Sequence, residues 1–271
     1  MALEIVQLVE GEKTGAEALR DGVRVGHLVG RLDEAPSRGR HVWVELGDHG
    51  LAEGQPHALY ADLYAVAAEP WVRQGHLTHL IEMPADDEVL RVWFGLGFGQ
   101  EQVYASAPTR EEAFAPPTGL TVREATPDDL ERSLDVVGAI TIHQIGPPVW
   151  SGLTASTREE LREGWAEFLA EEDSVVLLAE RDGDVVGFAA LHPGPEPEVA
   201  HLPVAATRPE VRGAGIGFAL AQSALHRAHA EGYRTVELDW RSTNLLASRF
   251  WLRAGFVPTS YRLRRDVQPY A

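Results

Sequence analysis

Apolar and polar residues alternate along this chain at two periods, and each change of period marks a new element. Leu3 to Val9 is an apolar opening, Val23 to Leu32 reads as a strand, and His41 to Leu46 sets Val42 and Val44 against Trp43 and Glu45. Thr14 to Leu19 predicts a short helix. From about Pro56 to Ala68, Leu59, Leu63 and Val66 recur at spacings of four and three, which predicts a helix, and Gly75 ends the segment before a strand from His76 to Glu82. Farther on, Thr126-Pro127-Asp128-Asp129 has the form of a helix start, with proline at the first position and acids in the first turn. That helix runs to about Ile142. Gly146-Pro147-Pro148 breaks the pattern, and a second helix follows from Thr157 to Ala170. Strands from Ser174 to Glu180 and from Val185 to Leu191 flank Asp182-Gly183, a hairpin signal. A strand from Glu198 to Ala206 leads to a helix from Phe218 to Ala230 with Leu220, Ala221, Ala224, Leu225 and Ala228 on one stripe. Val236 and Leu238 then alternate with Glu237 and Asp239, a helix starts at Asn244, and a strand from Val257 to Arg264 closes the pattern.

The pattern occurs twice. Trp93, Gly97 and Phe98 meet Trp251, Gly255 and Phe256 at a shift of 158 positions, and the helix and strand before each set correspond to within about a residue, the mark of an internal repeat. Pro108, Pro116 and Pro117 lie among small and charged residues and mark a linker. The expected organisation is a shortened domain over 1–107, a linker over 108–118 and a fuller domain over 119–271. A chain of 271 residues has room for two such cores.

Composition narrows the chemistry. There is no cysteine, which removes disulfides, thiolate nucleophiles and cysteine-ligated zinc together. The formal charge of −17 argues against nucleic acid, which needs a basic surface; it suits a cationic partner and equally serves solubility. No apolar run reaches the roughly 20 residues of a membrane span and no basic-then-apolar segment opens the chain, so the expected compartment is the cytoplasm, away from membranes. His76 and His79, and His226 and His229, are spaced by three. On a strand that spacing puts two rings on opposite faces, and the second pair has no third ligand nearby, so no metal is expected.

The stretch Thr207-Arg208-Pro209-Glu210-Val211-Arg212-Gly213-Ala214-Gly215-Ile216-Gly217 joins a strand to a helix. Glycines let backbone approach an anion, and the first helical turn offers amides without intrahelical partners. Its spacing fits neither the G-x-G-x-x-G dinucleotide fingerprint nor the phosphate loop that ends in G-K-[ST].

Arg212-x-x-Gly215-x-Gly217 resembles the pyrophosphate motif of the GNAT acetyltransferases, which bind acetyl-coenzyme A, and Asn244 through Phe256 resembles a downstream helix and turn of that family. The resemblance covers roughly residues 119 to 265. It implies an α/β (α+β) chain of two tandem GNAT-like domains, each a mixed, mostly antiparallel sheet flanked by helices. It also implies acetyl-coenzyme A as donor, with Ala205, Ala206 and Thr207 pairing their backbone with the pantetheine arm, Arg212, Gly213, Ala214, Gly215, Ile216 and Gly217 holding the pyrophosphate, and Asn244 and Trp251 beside the cofactor. The helix–loop–helix region would wall the acceptor pocket, with acceptor choice between Ile140 and Thr154. Trp150 could line it. In the first copy the matching segment, Gly47 to Gln55, carries Asp48 and Glu53 and no such motif, so coenzyme A binding is not expected there.

Acetyl transfer to an amine needs a neutral amine. An alkylammonium with a pKa of about 10.4 is neutral in roughly one molecule in a thousand at pH 7. A base is therefore useful, and His201 stands where several family members carry theirs, with Glu198 as its competitor and His192 and His143 behind. Trp251 occupies the position at which many members have a tyrosine acid, and indole cannot give that proton; Tyr233 and Tyr261 are the possible substitutes. The resulting expectation is an N-acetyltransferase acting on a small-molecule amine, as a monomer or homodimer. O-acetylation, use of another acyl group and a non-catalytic acyl-coenzyme A sensor stand as alternatives.

Overall fold

The computed structural model describes residues 2–36, 38–151 and 157–268. They form two compact units, residues 1–103 with 258–271, and residues 104–257. Among the described residues no helix is long and apolar enough to cross a membrane, which says nothing of a β-barrel.

The first unit begins with an antiparallel meander of β1 (Leu3–Glu10), β2 (Lys13–Arg20) and β3 (Val23–Ala35). β2 is the segment expected to be helical. Asp21 and Gly22, both at positive φ, close a tight hairpin into β3, and a Cβ at Gly15 would run into the Leu28 carbonyl. Cross-strand pairing and close backbone approach therefore override the helix propensity of Ala-Glu-Ala-Leu. β4 (Gly39–Val44) and β6 (Thr78–Pro84) pair in parallel, β5 (His49–Leu51) pairs with β3, and the helices are α1 (Leu59–Arg73) and α2 (Asp87–Gly95). On α1, Leu63, Ala67 and Trp71 recur every four residues and are fully buried. The chain passes between units within β7 (Gly99–Pro108).

The sequence pattern puts the last strand, β13 (Val257–Asp266), with the second domain. From Ser260↔Pro84 to Asp266↔Thr78 it pairs antiparallel with β6, and Leu263 enters the first unit's core. Its alternating pattern suits any half-buried sheet, so sequence alone did not choose its partner.

The second unit contains β8 (Thr121–Glu124), α3 (Leu130–Ile145), α4 (Arg158–Ala170), β9 (Val175–Arg181), β10 (Asp184–Pro193), β11 (Val199–Thr207), α5 (Ile216–Ala230), β12 (Thr235–Arg241) and α6 (Leu245–Ala254). Strands β8 to β12 lie side by side in sequence order, antiparallel except β11 and β12. The expected Asp182-Gly183 turn joins β9 to β10, with φ of 53° and 86°. α3 and α4 cover one face through Leu134, Val136 and Trp165, packed on Leu178, Phe188 and Ala190. Near the start of α3, Arg123 and Arg132 bridge the buried Asp129 to Glu180, and the Arg123 guanidinium holds the Asp129 carboxyl far below the usual carboxylate range.

The repeat is visible residue by residue. α2 and α6 are each capped by a side chain, Asp86 accepting from Glu88 N at 2.8 Å and Asn244 accepting from Ala247 N at 3.1 Å. Each is followed by a glycine at positive φ, Gly97 and Gly255, and then a buried phenylalanine. The Trp93–Phe98 and Trp251–Phe256 rings meet edge to face at 5.1 and 5.2 Å. Among the described residues the first unit has no counterpart of α3 and α4, since β1 and β2 are joined directly through Gly11 and Glu12.

Candidate functional site: a splayed pair of strands above a helix start

β11 and β12 pair at Val199↔Thr235, Ala200↔Val236 and His201↔Glu237, and there the ladder stops. Both strands continue, β11 to Thr207 and β12 to Arg241, so they diverge beyond His201. On its other side β11 stays paired with β10, from Ala190↔Val204 to Gly187↔Thr207. Residues 202–207, which include Ala205, Ala206 and Thr207, thus turn one backbone edge toward an open wedge, and a row of unpaired backbone groups is a template for an extended ligand. Pro203 follows the last pair by two residues and has no N–H to give to a ladder.

The free edge leads to the glycine turn. Pro209–Val211 is a short 3-10 turn, Gly213 and Gly215 have φ of 84° and 79°, and Gly215 caps α5 without a side chain. Ala219 N donates to Gly215 O at 2.9 Å, so the amides of Ile216, Gly217 and Phe218 precede the helical ladder. Arg212, Gly213, Ala214 and Gly215 are exposed, and a Cβ on Gly213 would meet nothing within 4 Å. Beside the turn, Arg208 Nε is buried without a hydrogen-bond partner among the described residues, a donor the sequence reading passed over. Open space, left-handed glycines, bare amides and an unmatched guanidinium N–H fit a pyrophosphate. Gly217 has a different use. A Cβ there would lie 3.3 Å from the Phe250 ring, so this glycine admits the packing of α6 on α5.

The segment read as a linker lies along α5. Arg110 N donates to Leu225 O at 3.2 Å, Phe114 meets Phe218 edge to face at 5.5 Å, and Pro117 Cγ is 3.6 Å from the place a Gly215 Cβ would take. It therefore borders the cradle.

His201 stands where the ladder ends. Its Nδ1 is 3.2 Å from His192 Nε2, and its Nε2 is 3.8 Å from Asp239 Oδ1 on the diverging part of β12. Sequence reasoning ranked His192 low and gave Asp239 no role, because only the sheet brings the three strands together. Glu198 precedes β11 at the opposite end, where its carboxylate pairs with Arg234 at 3.0 Å and its carbonyl accepts from Arg234 N. His143 Nε2 donates to Asn244 Oδ1 at 3.1 Å, and Thr243 Oγ1 donates to Val149 O at 3.4 Å, so the end of α3 and the turn after it meet the start of α6. Trp150 is 69% exposed at φ 40° in that turn. Part of the acceptor region expected between Ile140 and Thr154, namely Gly152, Leu153 and Thr154, lies outside the described residues. Trp251 is buried between Phe250 and Phe256. Tyr233 follows the C-terminal end of α5, away from the cradle, and Tyr261 belongs to the first unit.

Residues 140–256 match the sequence model of the acetyltransferase (GNAT) family. This segment belongs to that family. A mycothiol acetyltransferase from Sanguibacter keddieii is 38% identical over 97 residues, 34% of this chain and 30% of the relative. An amino-acid acetyltransferase from Vibrio cholerae is 27% identical over 158 residues, 58% of this chain and 29% of the relative. The chain thus spans under a third of the length of both. A crystal structure of a GCN5-related N-acetyltransferase from Sphaerobacter thermophilus superposes over 97% of this chain and 84% of its own, with a TM-score of 0.61 at 19% identity. The tandem GNAT fold expected from the repeated motifs is thereby present, and the family match falls on the copy with the wedge.

Proposed function

We propose that the second unit transfers the acetyl group of acetyl-coenzyme A to the amine of a small molecule, in the cytoplasm. The observation that carries this is the open backbone edge of residues 202–207 running from His201 to the glycine turn before α5. Acetyl-coenzyme A would supply the activated thioester. Ala205 to Thr207 would pair with its amide-bearing arm, while Arg208 and the turn from Arg212 to Gly217 hold its phosphates. His201 would take the proton that the amine gives up as its nitrogen bonds to the acetyl carbon and the carbon–sulfur bond breaks, the sulfur leaving as thiolate. A thiol with a pKa of about 8.5 leaves tolerably without an acid, so Trp251 in place of tyrosine is no obstacle. His201 is preferred to Glu198 because it stands at the wedge, whereas Glu198 is engaged by Arg234. The relatives named for mycothiol and amino-acid acetylation support a small acceptor.

One rival, a non-catalytic acyl-coenzyme A sensor, rests on Trp251 standing where a tyrosine acid would. Acetyl-coenzyme A consumption measured across a panel of amines separates the two. Transfer to any amine supports the enzyme, and tight binding without turnover on every acceptor supports the sensor.

A further inference from the structure

The orientation of the His201 ring is determined by its neighbours. His192 Nδ1 lies 2.7 Å from the carbonyl oxygen of Pro193. A carbonyl only accepts, so His192 carries its proton on Nδ1, and in the neutral ring Nε2 is left as an acceptor. His201 Nδ1 faces that acceptor at 3.2 Å and must be the donor. Neutral His201 then has its proton on Nδ1 and its lone pair on Nε2, the nitrogen that looks toward Asp239 across 3.8 Å.

We propose that His192 is a positioning residue, which fixes the tautomer of His201 so that Nε2 presents the basic lone pair to the acceptor amine, with Asp239 placed to receive the charge when Nε2 is protonated. The inference rests on His201 being the base. It follows from the groups that three neighbouring strands bring together: His192 from β10, His201 from β11, and from β12 both Asp239 and Glu237, the register partner of His201.

Nitrogen-15 NMR of the histidine rings in the full chain tests the assignment without reference to activity. The expected spectrum has His201 unprotonated at Nε2 at neutral pH; His192→Phe, which keeps a ring but removes the acceptor, shifts the proton in part to Nε2. His192→Gln offers a carbonyl oxygen as a replacement acceptor, and it should restore the tautomer. In parallel, His192→Phe should lower kcat/KM for the amine roughly tenfold or more, short of the 10²- to 10⁴-fold expected for loss of the base, with KM for acetyl-coenzyme A unchanged. His192→Gln should recover most of this. Nε2–H on His201 in the wild type, or full activity in His192→Phe despite a switched tautomer, overturns the proposal. An undiminished rate in His201→Ala beside the expected spectrum overturns the base and the positioning role while sparing the tautomer assignment.

Discussion

Replacing Gly215 by glutamate and by alanine separates the electrostatic from the conformational use of the cradle. At φ 79° any L-residue is strained by about 1 to 2 kcal/mol. An alanine Cβ would meet only Pro117, at an ordinary 3.6 Å, so Gly215→Ala should cost that strain and little more. Glutamate adds a negative charge at a helix N-terminus, which favours the fold by about 0.3 to 1 kcal/mol. Both variants should therefore fold, with Tm lowered by no more than about 2 to 8 °C. Binding should part them. A carboxylate roughly 5 Å from two phosphate charges, in the high effective dielectric of an exposed turn, repels each by about 1 kcal/mol. Two such terms correspond to roughly 30-fold in affinity. Calorimetric titration with acetyl-coenzyme A should show this loss for glutamate, at most a few-fold loss for alanine, and a gap that narrows with salt as screening grows. Acetylated pantetheine, which has no pyrophosphate, should not distinguish the two. Equal losses in both variants would mean that turn geometry alone matters, and unchanged affinity in both would refute the phosphate reading.

His201→Ala should lower kcat/KM roughly 10²- to 10⁴-fold near neutral pH, and the loss should shrink toward pH 9.5, where more of the amine is already free; an equal loss at both pH values would point to packing. Calorimetry should find one coenzyme A site per chain, and two equivalent sites would contradict the assignment to the second unit alone. In the first unit, burial pushes the fully enclosed His79 down to about 4 from 6.5, so the unfolded chain takes up the proton first as pH falls. Its contribution is whole above pH 6.5 and is lost between 6.5 and 4, about 3 kcal/mol in all; urea unfolding at pH 7 and pH 4 should show a steeper decline in the wild type than in His79→Phe, and parallel declines would dismiss His79 as the source.

The parts of the molecule legible in the sequence are those determined locally. Asp182-Gly183, the Asn244 cap and Gly255 each act over a few residues, and the glycines before α5 announce their left-handed turn directly. β2 was illegible because Ala16, Ala18 and Leu19 favour a helix in isolation, and only the close approach of Gly15 to β3 overrides them. The group around His201 was illegible for another reason. His192, His201 and Asp239 belong to three strands, and the bulge between Ala190 and His192 sets the pairing of His192 with His201 in a way that residue spacing does not report. Nor does proline content show that 110–117 rests on α5, since that docking depends on the exposed Phe218 ring and on a helix carbonyl, Leu225 O, which side-chain pattern does not report.

The two copies differ most where their parallel strands meet, and the difference bears on why one of them would bind a donor. In the first unit β4 is paired with β6 through its last residue, from His41↔Thr78 to Val44↔Ile81, leaving no wedge between them. The chain then curls at Leu46–Asp48, where Asp48 accepts from Glu45 N at 3.1 Å and ion-pairs with Lys13. A carboxylate of the chain itself thus occupies a backbone amide at the exit of that strand, and an incoming phosphate would meet like charge. In the second unit the ladder stops at His201, Pro203 offers no donor, and the chain turns through glycines without supplying an acid to their amides. Unpaired backbone groups forgo hydrogen bonds worth about 0.5 to 1.5 kcal/mol each, so the second copy gives up stability that the first retains. A ligand that carries its own amides and its own anion would restore both sets of contacts together, and that complementarity, more than the glycine motif alone, supports the proposal that acetyl-coenzyme A binds to the second copy.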